Sequence, residues 1–383
     1  MKPVLVVGAG PTGLTLACEL YRRGVPCRVV DRSQARLDRV RAVDIQARTL
    51  EVLEQVGISA GILERGHKLI GMGIYESARA MARLRYYAKD APYPFAVAVS
   101  QSVTETLLED RLADHGGAVE RGIELTGLVL GVTSATATLE TPDGSVETVE
   151  VDWIVGCDGA DSTVRELSEI PVEQNGGDYS FAMADAELGW ALPINEMSLF
   201  LVNSGFALVV PMPDGRARVI IDNAENRPLS DLPSFAAALA VRVGAPVSLR
   251  TPGRCASYRV RGQTASVFRA GVVVLAGDAA HTFNPVGGHG MNQGIRDAYE
   301  LAVQLERTMA KPANDGCILR YAEDRKKAAK TLLRSMDFEA RLSITRLDVS
   351  EDDRRRLLKL LVDCAPLRRA VLDAAVDMFR PEA

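Results

Sequence analysis

The chain has 383 residues, of which 47% are hydrophobic and 25% are charged, and its formal net charge is −5 at pH 7. This composition is typical of a globular protein that is long enough for a full hydrophobic core. The net charge argues against a nucleic-acid-binding function, because a weakly acidic chain offers no basic field to neutralise phosphates.

Cysteine and histidine usage limits the kinds of site to expect. The six cysteines are scattered without a CxxC pair, and the four histidines form neither an HxH nor an HExxH pattern. This usage favours a reduced, cytoplasmic protein with buried thiols over a disulfide framework or a protein-bound metal. There is no run of about 18 apolar residues, so no membrane span is predicted.

The first predicted elements form a βαβ unit. The valine-rich run at residues 4–7 predicts a buried parallel strand. Residues 12–23 predict a helix with an apolar face, and residues 27–30 predict a second strand. A strand, a helix and a strand within about 30 residues form the βαβ motif, whose crossover is right-handed. Two further helices are predicted, one with the apolar residues Ile45, Leu50, Val52 and Leu53, the other at residues 103–115.

A glycine-rich turn joins the first strand to the first helix. Residues 8–13 read GAGPTG and match GxGxxG, the pattern of a dinucleotide-binding turn. Gly8 permits the tight turn, Gly10 lets the backbone approach a pyrophosphate, and Gly13 allows close packing of helix on strand. Asp31, at the end of the next strand, can accept hydrogen bonds from a ribose. The alternative is a tight turn without a ligand. The candidate cofactor-binding residues here are Gly8, Gly10, Pro11, Thr12, Gly13, Asp31 and Arg32.

The middle of the chain is rich in predicted strands. Residues 123–151 alternate around a turn at 142–144 and predict a β-meander. Within residues 178–265, four stretches predict strands, several with two-residue periodicity: 181–188, 198–202, 207–210 and 216–221. This periodicity indicates an antiparallel sheet with one buried face, unlike the parallel amino-terminal unit.

Two more turns follow predicted strands. The sequence CDGADSTVR at residues 157–165 comes directly after the apolar strand 153–155. By itself it predicts a strand-to-helix turn capped by a serine. Residues 272–276 predict a buried strand, which is followed by Gly277-Asp278, the loop PVGGHGMNQG at 285–294 and a helix. The rest of the chain is predicted to be mainly helical, and the leucines at 357–361 predict a packed structural helix, with a partner interface as the alternative.

These segments resemble a known family. DGxxSxxR at 158–165, GD at 277–278 and PxGGxGxNxGxxDA at 285–298 are similar to motifs of the class A flavoprotein aromatic hydroxylases, the group that contains para-hydroxybenzoate hydroxylase. The resemblance covers most of residues 1–175 and 270–330 and is nearly silent over 176–268. It implies FAD as the cofactor and NAD(P)H as a co-substrate that docks transiently.

The resemblance implies roles for single residues. Asp158 and Gly159 would touch FAD and the docked pyridine nucleotide, and Asp278 would accept from the ribityl hydroxyls. Arg41 would contact the FAD phosphates, with a surface salt bridge as the alternative. Gln101 would contact the FAD diphosphate and ribose, with an ordinary helix-start side chain as the alternative.

The glycine loop at residues 285–294 would lie along the flavin. Without side chains on its glycines, the backbone can approach the isoalloxazine edge. The amides of Met291 and Asn292, at the start of the next helix, would face flavin N1 and O2 and stabilise negative charge there. No metal ligand and no certain catalytic side chain is assigned, because the flavin carries the chemistry. The candidates in this loop are Pro285, Gly287, Gly288, Gly290, Met291 and Asn292.

The expected fold class is α/β. A Rossmann-like FAD-binding domain of the GR2-type flavoproteins would be interleaved with an antiparallel-sheet substrate domain. We expect residues 1–70, 100–175 and 270–315 in the FAD-binding domain and residues 71–99 and 176–269 in the substrate domain. Residues 316–383 would form a helical carboxyl-terminal segment.

The resemblance implies an FAD-dependent monooxygenase that uses NAD(P)H and O2 to hydroxylate an organic, aromatic and largely apolar substrate through a flavin C4a-hydroperoxide. The alternatives are an oxidase, dehydrogenase or halogenase on the same fold, or a non-catalytic protein that binds FAD or another ligand. The expected partners are a small-molecule substrate and O2, without nucleic acid or membrane, for a cytoplasmic monomer or homodimer. Candidate pocket residues, each of which could instead be a core residue, are Met183, Leu199, Phe200, Phe206, Val209, Pro211, Phe283, Pro285 and Val286.

Overall fold

The computed structural model describes residues 2–36, 42–85, 92–189, 192–202, 205–223, 229–283, 288–311 and 316–344. The first half of the chain contains β1 Val4–Val7, α1 Pro11–Arg22, β2 Cys27–Asp31, β3 Asp44–Ile45, α2 Ala47–Val56, α3 Ser59–Arg65, β4 His67–Leu69, β5 Gly71–Glu76, β6 Arg79–Arg85, β7 Ala96–Ala98, α4 Gln101–Asp114, β8 Val119–Arg121, β9 Glu124–Leu130, β10 Ala135–Glu140, β11 Val146–Val151 and β12 Trp153–Gly156. The second half contains α5 Thr163–Leu167, β13 Val172–Leu188, β14 Met197–Val202, β15 Gly205–Pro211, β16 Arg216–Asp222, α6 Leu232–Val243, β17 Leu249–Ala265, β18 Arg269–Ala270, β19 Val273–Leu275, β20 His281–Thr282, α7 His289–Ala310 and α8 Gly316–Ile344.

The amino-terminal strand lies in a six-stranded, mainly parallel sheet. The strand order is β18-β19-β12-β1-β2-β8, and β18 is antiparallel to its neighbour. Val7 is paired with Gly156, and Gly156 with Leu275, so β1, β12 and β19 end side by side. The predicted glycine-containing turns follow these three strands. The parallel pairing therefore brings all three turns to one edge of the sheet.

An eight-stranded, mostly antiparallel sheet forms the second layer, in the order β20-β17-β13-β16-β15-β14-β5-β6. Side chains alternate between its two faces, as the pleat of a strand requires. Met183 and Ile220 belong to a hydrophobic cluster on one face, whereas Ala184 and Val219 belong to the cluster that also contains Phe235 and Leu239 of α6. The α/β fold class, with a parallel and an antiparallel sheet, is therefore confirmed.

Two three-stranded sheets complete the β-structure. The predicted meander is confirmed as the antiparallel sheet β11-β10-β9. The other small sheet has the order β3-β7-β4, and it corrects one prediction, since Ile45 lies in β3 and the helix begins only at Ala47. Ile45 pairs with Val97 across this sheet, a contact between segments that are far apart in the sequence.

The remaining predicted elements are found with small shifts. The helix predicted at 103–115 is α4, which begins at Gln101 after the capping residue Ser100. The leucines at 357–361 lie outside the described residues. In the part of the chain that the structure describes, no helix has both the length and the apolar character that a membrane crossing requires.

Candidate cofactor and substrate site

The glycines of the first turn have three different environments. Gly8 has φ +102°, and a Cβ there would lie 2.4 Å from the Cys157 carbonyl oxygen. A Cβ on Gly13 would lie 1.9 Å from the Gly8 carbonyl oxygen, so this glycine allows α1 to pack on the turn. Gly10 has no atom within 4 Å of a built Cβ and lines the main cavity. Gly8 and Gly13 therefore shape the turn, whereas Gly10 leaves its backbone accessible to a ligand.

The start of α1 is suited to bind an anion. The helix begins at Pro11, and its N-cap residue Gly10 makes no side-chain capping bond to the first amides. Uncapped N–H groups and the positive end of the helix dipole both favour a phosphate at this position. Pro11 and Thr12 line the cavity directly beside Gly10.

Asp31 is held at the end of β2 by two backbone amides. Its Oδ2 accepts from the Ala9 amide at 2.7 Å, and its Oδ1 accepts from the Ser33 amide at 2.8 Å. A carboxylate has about four acceptor positions, so further hydrogen bonds remain available. Asp31 and Arg32 both line the cavity, where the carboxylate can accept from the hydroxyls of a ribose.

The second turn is a tightly bonded cap. The Ser162 hydroxyl donates to Asp158 Oδ1 at 2.6 Å and accepts from the Arg165 amide at 3.0 Å. Burial raises the pKa of Asp158, although the bonds from Ser162 and the Val164 amide oppose this shift. The Arg165 guanidinium donates to the Ala160 and Ala279 carbonyls at 2.7 and 2.9 Å. Arg165 therefore joins the second turn to the third.

A buried ionic network holds the third turn in place. The Asp297 carboxylate, which is fully buried, accepts from the Gly277 amide at 3.0 Å and from Arg325 Nε at 2.6 Å. His281 Nε2 lies 2.6 Å from the same carboxylate. Burial would raise the pKa of Asp297, but Arg325, His281 and the Gly277 amide outweigh it and hold the pKa below its usual range. The network fixes the backbone just before the candidate residue Asp278.

Thr12 connects the first turn to the third. A Cβ on Gly277 would lie 2.5 Å from Thr12 Oγ1, and a Cβ on Gly294 would lie 2.3 Å from the same oxygen. The threonine side chain therefore fits between two glycines of the last motif. Both positions must lack a side chain for the two turns to come this close.

Asn292 connects the start of α7 to the loop around β3. Its side chain is fully buried, donates to the Gly288 carbonyl at 2.8 Å and the Asp44 carbonyl at 3.0 Å, and accepts from the Gln46 amide at 2.9 Å. Gly288 is the N-cap of α7 in the left-handed region, with φ +66°. The predicted importance of Asn292 thus has a visible physical basis in its side chain, which holds the two segments together.

One cavity of about 1330 Å³ adjoins all three turns. Its volume exceeds the roughly 300–1,000 Å³ of a usual small-molecule site, so it has room for a dinucleotide and a second ligand. The predicted residues that line it are Gly8, Gly10, Pro11, Thr12, Asp31, Arg32, Gln101, Asp158, Gly159, Asp278, Gly288, Gly290 and Met291. Gly13 and Asn292 are buried outside the set of residues that line the cavity. Arg41, Pro285 and Gly287 lie outside the described residues.

The cavity also has polar wall residues that sequence reasoning missed. Glu105 accepts from Gln101 Nε2 at 2.7 Å and lines the cavity one helical turn after it. Its spacing of four residues from Gln101 is a signal that could have identified it. Asp44, Tyr258 and His289 also line the cavity. No local pattern marks Asp44 or Tyr258, whereas His289 lies inside the glycine loop at residues 285–294.

Two of these missed groups have shifted pKa values. Burial raises the pKa of Asp44 to about 7, against the opposing effect of the Arg218 guanidinium. Burial lowers the pKa of His289 to about 4, so its imidazole is neutral at physiological pH. The wall beside Gly288 therefore combines a neutral imidazole with a carboxyl group that titrates near neutrality.

The predicted pocket residues were only partly right. Met183 and Phe283 line the cavity. Phe200 and Val209 instead belong to the cluster under α6, on the opposite face of the sheet. Leu208 and Val210, the neighbours of Val209 in β15, line the cavity instead. Val209 was thus assigned to the wrong face by one residue, which in a strand exchanges the two faces, whereas Leu199 and Phe206 belong to the same cluster as Met183 and Leu208. Pro285 and Val286 lie outside the described residues.

Comparison with known proteins identifies the family. The profile of the family described as "FAD binding domain" matches residues 1–336. The chain belongs to this family. FAD is thus its cofactor, and the resemblance to the class A aromatic hydroxylases is confirmed. The residues of the cavity fit the cofactor, because the open backbone at Gly10, the uncapped start of α1 and the Asp31 carboxylate suit a diphosphate and a ribose.

Relatives of this FAD-binding chain include two curated enzymes. The chain is 33% identical over 374 residues to the 6-methylpretetramide 4-monooxygenase of Streptomyces rimosus, covering 96% of this chain and 67% of the relative. It is 34% identical over 327 residues to the pentachlorophenol 4-monooxygenase of Sphingobium chlorophenolicum, covering 81% of this chain and 59% of the relative. The chain therefore spans about three fifths to two thirds of the length of these relatives.

A solved structure shows the same fold. The OxyS anhydrotetracycline hydroxylase from Streptomyces rimosus superposes with a TM-score of 0.80 at 30% identity, covering 99% of this chain and 77% of the other.

Among the residues that the structure describes, no three His, Cys, Asp or Glu side chains are grouped as a metal site would need.

Proposed function

We propose that the protein is an FAD-dependent monooxygenase that uses NAD(P)H and O2 to hydroxylate an aromatic, largely apolar substrate. The observation that carries this proposal is a single cavity. Its walls include the phosphate-binding turns and also an apolar face of the antiparallel sheet. Gly10 and Asp31 lie in its polar part, whereas Met183 and Ile220 come from the antiparallel sheet. Both curated relatives are named 4-monooxygenases, which supports the same reaction.

The turns supply the proposed cofactor contacts. The start of α1 at Gly10, Pro11 and Thr12 would hold the diphosphate, with Asp31 at the adenosine ribose. Arg32, Arg41 and Gln101 would add contacts at the nucleotide end. Asp158, Gly159 and Asp278 would border the middle of the cofactor, with Asp278 accepting from the ribityl hydroxyls. Gly8 and Gly13 would keep the first turn in shape. At the flavin end, the proposed residues are Pro285, Gly287, Gly288, Gly290, Met291 and Asn292.

When bound, FAD supplies the redox chemistry, accepting hydride from NAD(P)H and activating O2. The protein itself positions the bound groups, excludes water from the reacting atoms and stabilises charge. The amino-terminal end of α7 carries the positive end of its helix dipole beside Gly290 and Met291, where it stabilises negative charge on a bound group. The apolar face at Met183, Leu208 and Ile220 keeps water away from the reacting atoms.

The organisation of the protein is part of the proposal. Residues 1–70, 100–175 and 270–315 would form the FAD-binding domain, and 71–99 with 176–269 the substrate domain, followed by the helical segment 316–383. We propose a cytoplasmic location and a monomeric or homodimeric state, with the substrate and O2 as partners. The alternative of an oxidase, dehydrogenase, halogenase or non-catalytic binder receives no support from relatives that are named monooxygenases.

A substrate screen tests the proposed function. The FAD-loaded protein is mixed with NADH or NADPH and a panel of aromatic compounds, and cofactor oxidation and released peroxide are both followed. We expect at least one compound to accelerate NAD(P)H oxidation and to gain one oxygen atom from ¹⁸O-labelled O2. Acceleration with all reducing equivalents recovered as peroxide, or no acceleration by any compound, would contradict the proposal.

A pair of glycine variants controls for cofactor binding in this screen. Gly13→Ala would place a methyl group 1.9 Å from the Gly8 carbonyl oxygen and should abolish FAD binding and activity together. Gly316→Ala, where a Cβ meets no atom within 4 Å, should keep both. Equal losses in the two variants would show that the first turn has no special role.

A further inference from the structure

Two arginines lie at the contact between α2 and α7. Arg48 is in the first turn of α2, and Arg296 is two turns into α7. The two helices are joined close to both residues, because the Asn292 side chain accepts from the Gln46 amide at 2.9 Å. Arg48 follows Gln46 by two residues, and Arg296 follows Asn292 by one helical turn. The two positive side chains therefore come from adjacent parts of the two helices.

Neither guanidinium has an anionic partner in the described part of the chain. Arg48 Nη2 is shielded from solvent and has no hydrogen-bond partner there. Glu51 is three residues after Arg48 but forms no ion pair with it among the described residues. Glu300 is four residues after Arg296 but lies 3.5 Å from Arg325 instead. A shielded guanidinium nitrogen is costly without an acceptor, so the pair favours an oxygen atom from outside the chain.

A third arginine nearby already has its acceptors. Arg325 of α8 donates from Nε to Asp297 and from Nη2 to Gln293, both at 2.6 Å. Its Nη1 lies 3.5 Å from Glu300. Arg325 therefore engages the two carboxylates that attract Arg296.

The charges around Arg296 do not balance. Burial and the positive charges of Arg325 and Arg48 lower its pKa, and the carboxylates of Glu300 and Asp297 oppose this shift without cancelling it. Three arginines thus face two carboxylates. Arg48 also places its charge in the first turn of α2, where the positive end of the helix dipole disfavours a cation. An anion from solution would relieve both effects.

The two arginines are separate from the cofactor cavity and can be reached from solvent. Both are partly exposed. Neither belongs to the described residues that line the cavity, whereas Gln46 and Met291 do line it. The arginine pair therefore lies on the solvent side of the contact between α2 and α7, and the cavity lies on the other side.

We propose that Arg48 and Arg296 form a binding site for a tetrahedral oxyanion, either inorganic phosphate or the phosphate group of a small metabolite. Two guanidinium groups can bind different oxygens of one phosphate, whereas the two oxygens of a carboxylate are taken up by a single bidentate arginine. A bound phosphate bridges α2 and α7, the helices that the Asn292 side chain already joins. The site stabilises this contact whichever reaction the protein catalyses.

Isothermal titration calorimetry of the FAD-loaded protein tests this proposal. Inorganic phosphate, glycerol 3-phosphate and acetate are titrated near pH 8 at a low, constant ionic strength set by sodium chloride. We expect one site with a Kd of about 1 mM or tighter for the better phosphate ligand, and at least about tenfold weaker binding of acetate. Tighter binding of glycerol 3-phosphate would assign the site to an organic phosphate, and the reverse order would assign it to the free ion. Acetate binding as tight as phosphate binding would contradict the proposal.

Single substitutions test whether both arginines hold the anion. Arg296→Gln and Arg48→Gln should each weaken phosphate binding about tenfold or more, because each removes one charged donor group. The matched control is Arg307→Gln, which removes the same charge from an exposed position of α7. The control should change the phosphate affinity by less than about twofold, because a distant exposed charge is screened.

Thermal unfolding separates a binding role from a structural one. Phosphate at about ten times its Kd should raise the Tm of the wild type and of Arg307→Gln, but not that of Arg296→Gln. In chloride, Arg296→Gln should melt no lower than the wild type, since the substitution removes a partly buried cation without an ion-pair partner among the described residues. Three results would overturn the proposal: no phosphate binding to the wild type, unchanged phosphate affinity in Arg296→Gln or Arg48→Gln, or an equal rise in Tm with phosphate in all these proteins. A lower Tm of Arg296→Gln in chloride with an unchanged phosphate effect would show a structural role instead.

Discussion

Replacing Asp297 by asparagine tests whether the buried ionic network holds the third turn in place. The wild-type carboxylate has 0% exposure and is bonded to Arg325, His281 and the Gly277 amide at 2.6 to 3.0 Å. Asparagine has nearly the same shape as aspartate but carries no charge. Its NH2 group would face hydrogen-bond donors that bind the carboxylate in the wild type. The Arg325 guanidinium would then remain buried, with Glu300 at 3.5 Å as its remaining carboxylate neighbour in the described structure.

The expected loss follows from breaking a buried pair on one side. Removing one partner of such a pair costs about 3–5 kcal/mol, and the more distant, half-exposed Glu300 would compensate the Arg325 charge only in part. The total stability of a domain is about 5–15 kcal/mol, so the variant should lose a large part of its free energy of unfolding. The pKa of Asp297 is lowered in the folded state. Its contribution is therefore present above the unfolded pKa near 4 and is lost as the pH falls through the lower folded value.

Urea unfolding followed by far-UV circular dichroism measures this loss, with and without FAD. The matched control is Glu306→Gln, which lies on the same helix and removes a partner of Arg23 at 2.5 Å, but is 41% exposed. This exposed pair should contribute about 1 kcal/mol or less. The reasoning is refuted if Asp297→Asn unfolds at the same urea concentration as Glu306→Gln near pH 7.

Three further variants probe the other turns. Gly288→Ala would place a methyl group 2.2 Å from Asp44 Oδ1 at φ +66°, so the affinity for FAD, titrated by flavin fluorescence, should fall about tenfold or more. Ser162→Ala removes the α5 cap and should cost about 1 kcal/mol in urea unfolding. Asp44, whose pKa burial raises to about 7 despite Arg218, binds its proton more tightly when folded. As the pH rises from about 4 to about 7, the free energy of unfolding of the wild type should therefore fall relative to that of Asp44→Asn. A constant difference between the two proteins would contradict this.

The turns could be predicted from the sequence because their chemistry is local. Gly8 is required by its own backbone angle, and Ser162 caps a helix by accepting from an amide three residues away. Such requirements act within a few residues, so the order of residue types is enough to reveal them. The family resemblance rests on these same segments.

Contacts between distant segments could not be predicted in this way. The side chain of Asn292 is bonded to the Gln46 amide and the Asp44 carbonyl, 246 and 248 residues away in the chain. The sequence predicted that the Asn292 amide faces the flavin, but it gave no indication of these side-chain contacts. Tyr258 and Asp44 lie on one pocket only because separate strands bring them there, so no spacing pattern marks either residue.

The amino-acid sequence alone determined the βαβ unit, the three turns and the alternation of the sheet, since each follows from backbone geometry and periodicity over short stretches. It could not determine which face of the sheet is the pocket wall. Period-two alternation defines two equivalent faces, and Val209 was assigned to the wrong one. The packing of α6 against Val209 and Phe200 covers that face, which leaves Leu208 and Val210 for the cavity. Only the tertiary structure makes that choice, because burial depends on which element covers each face.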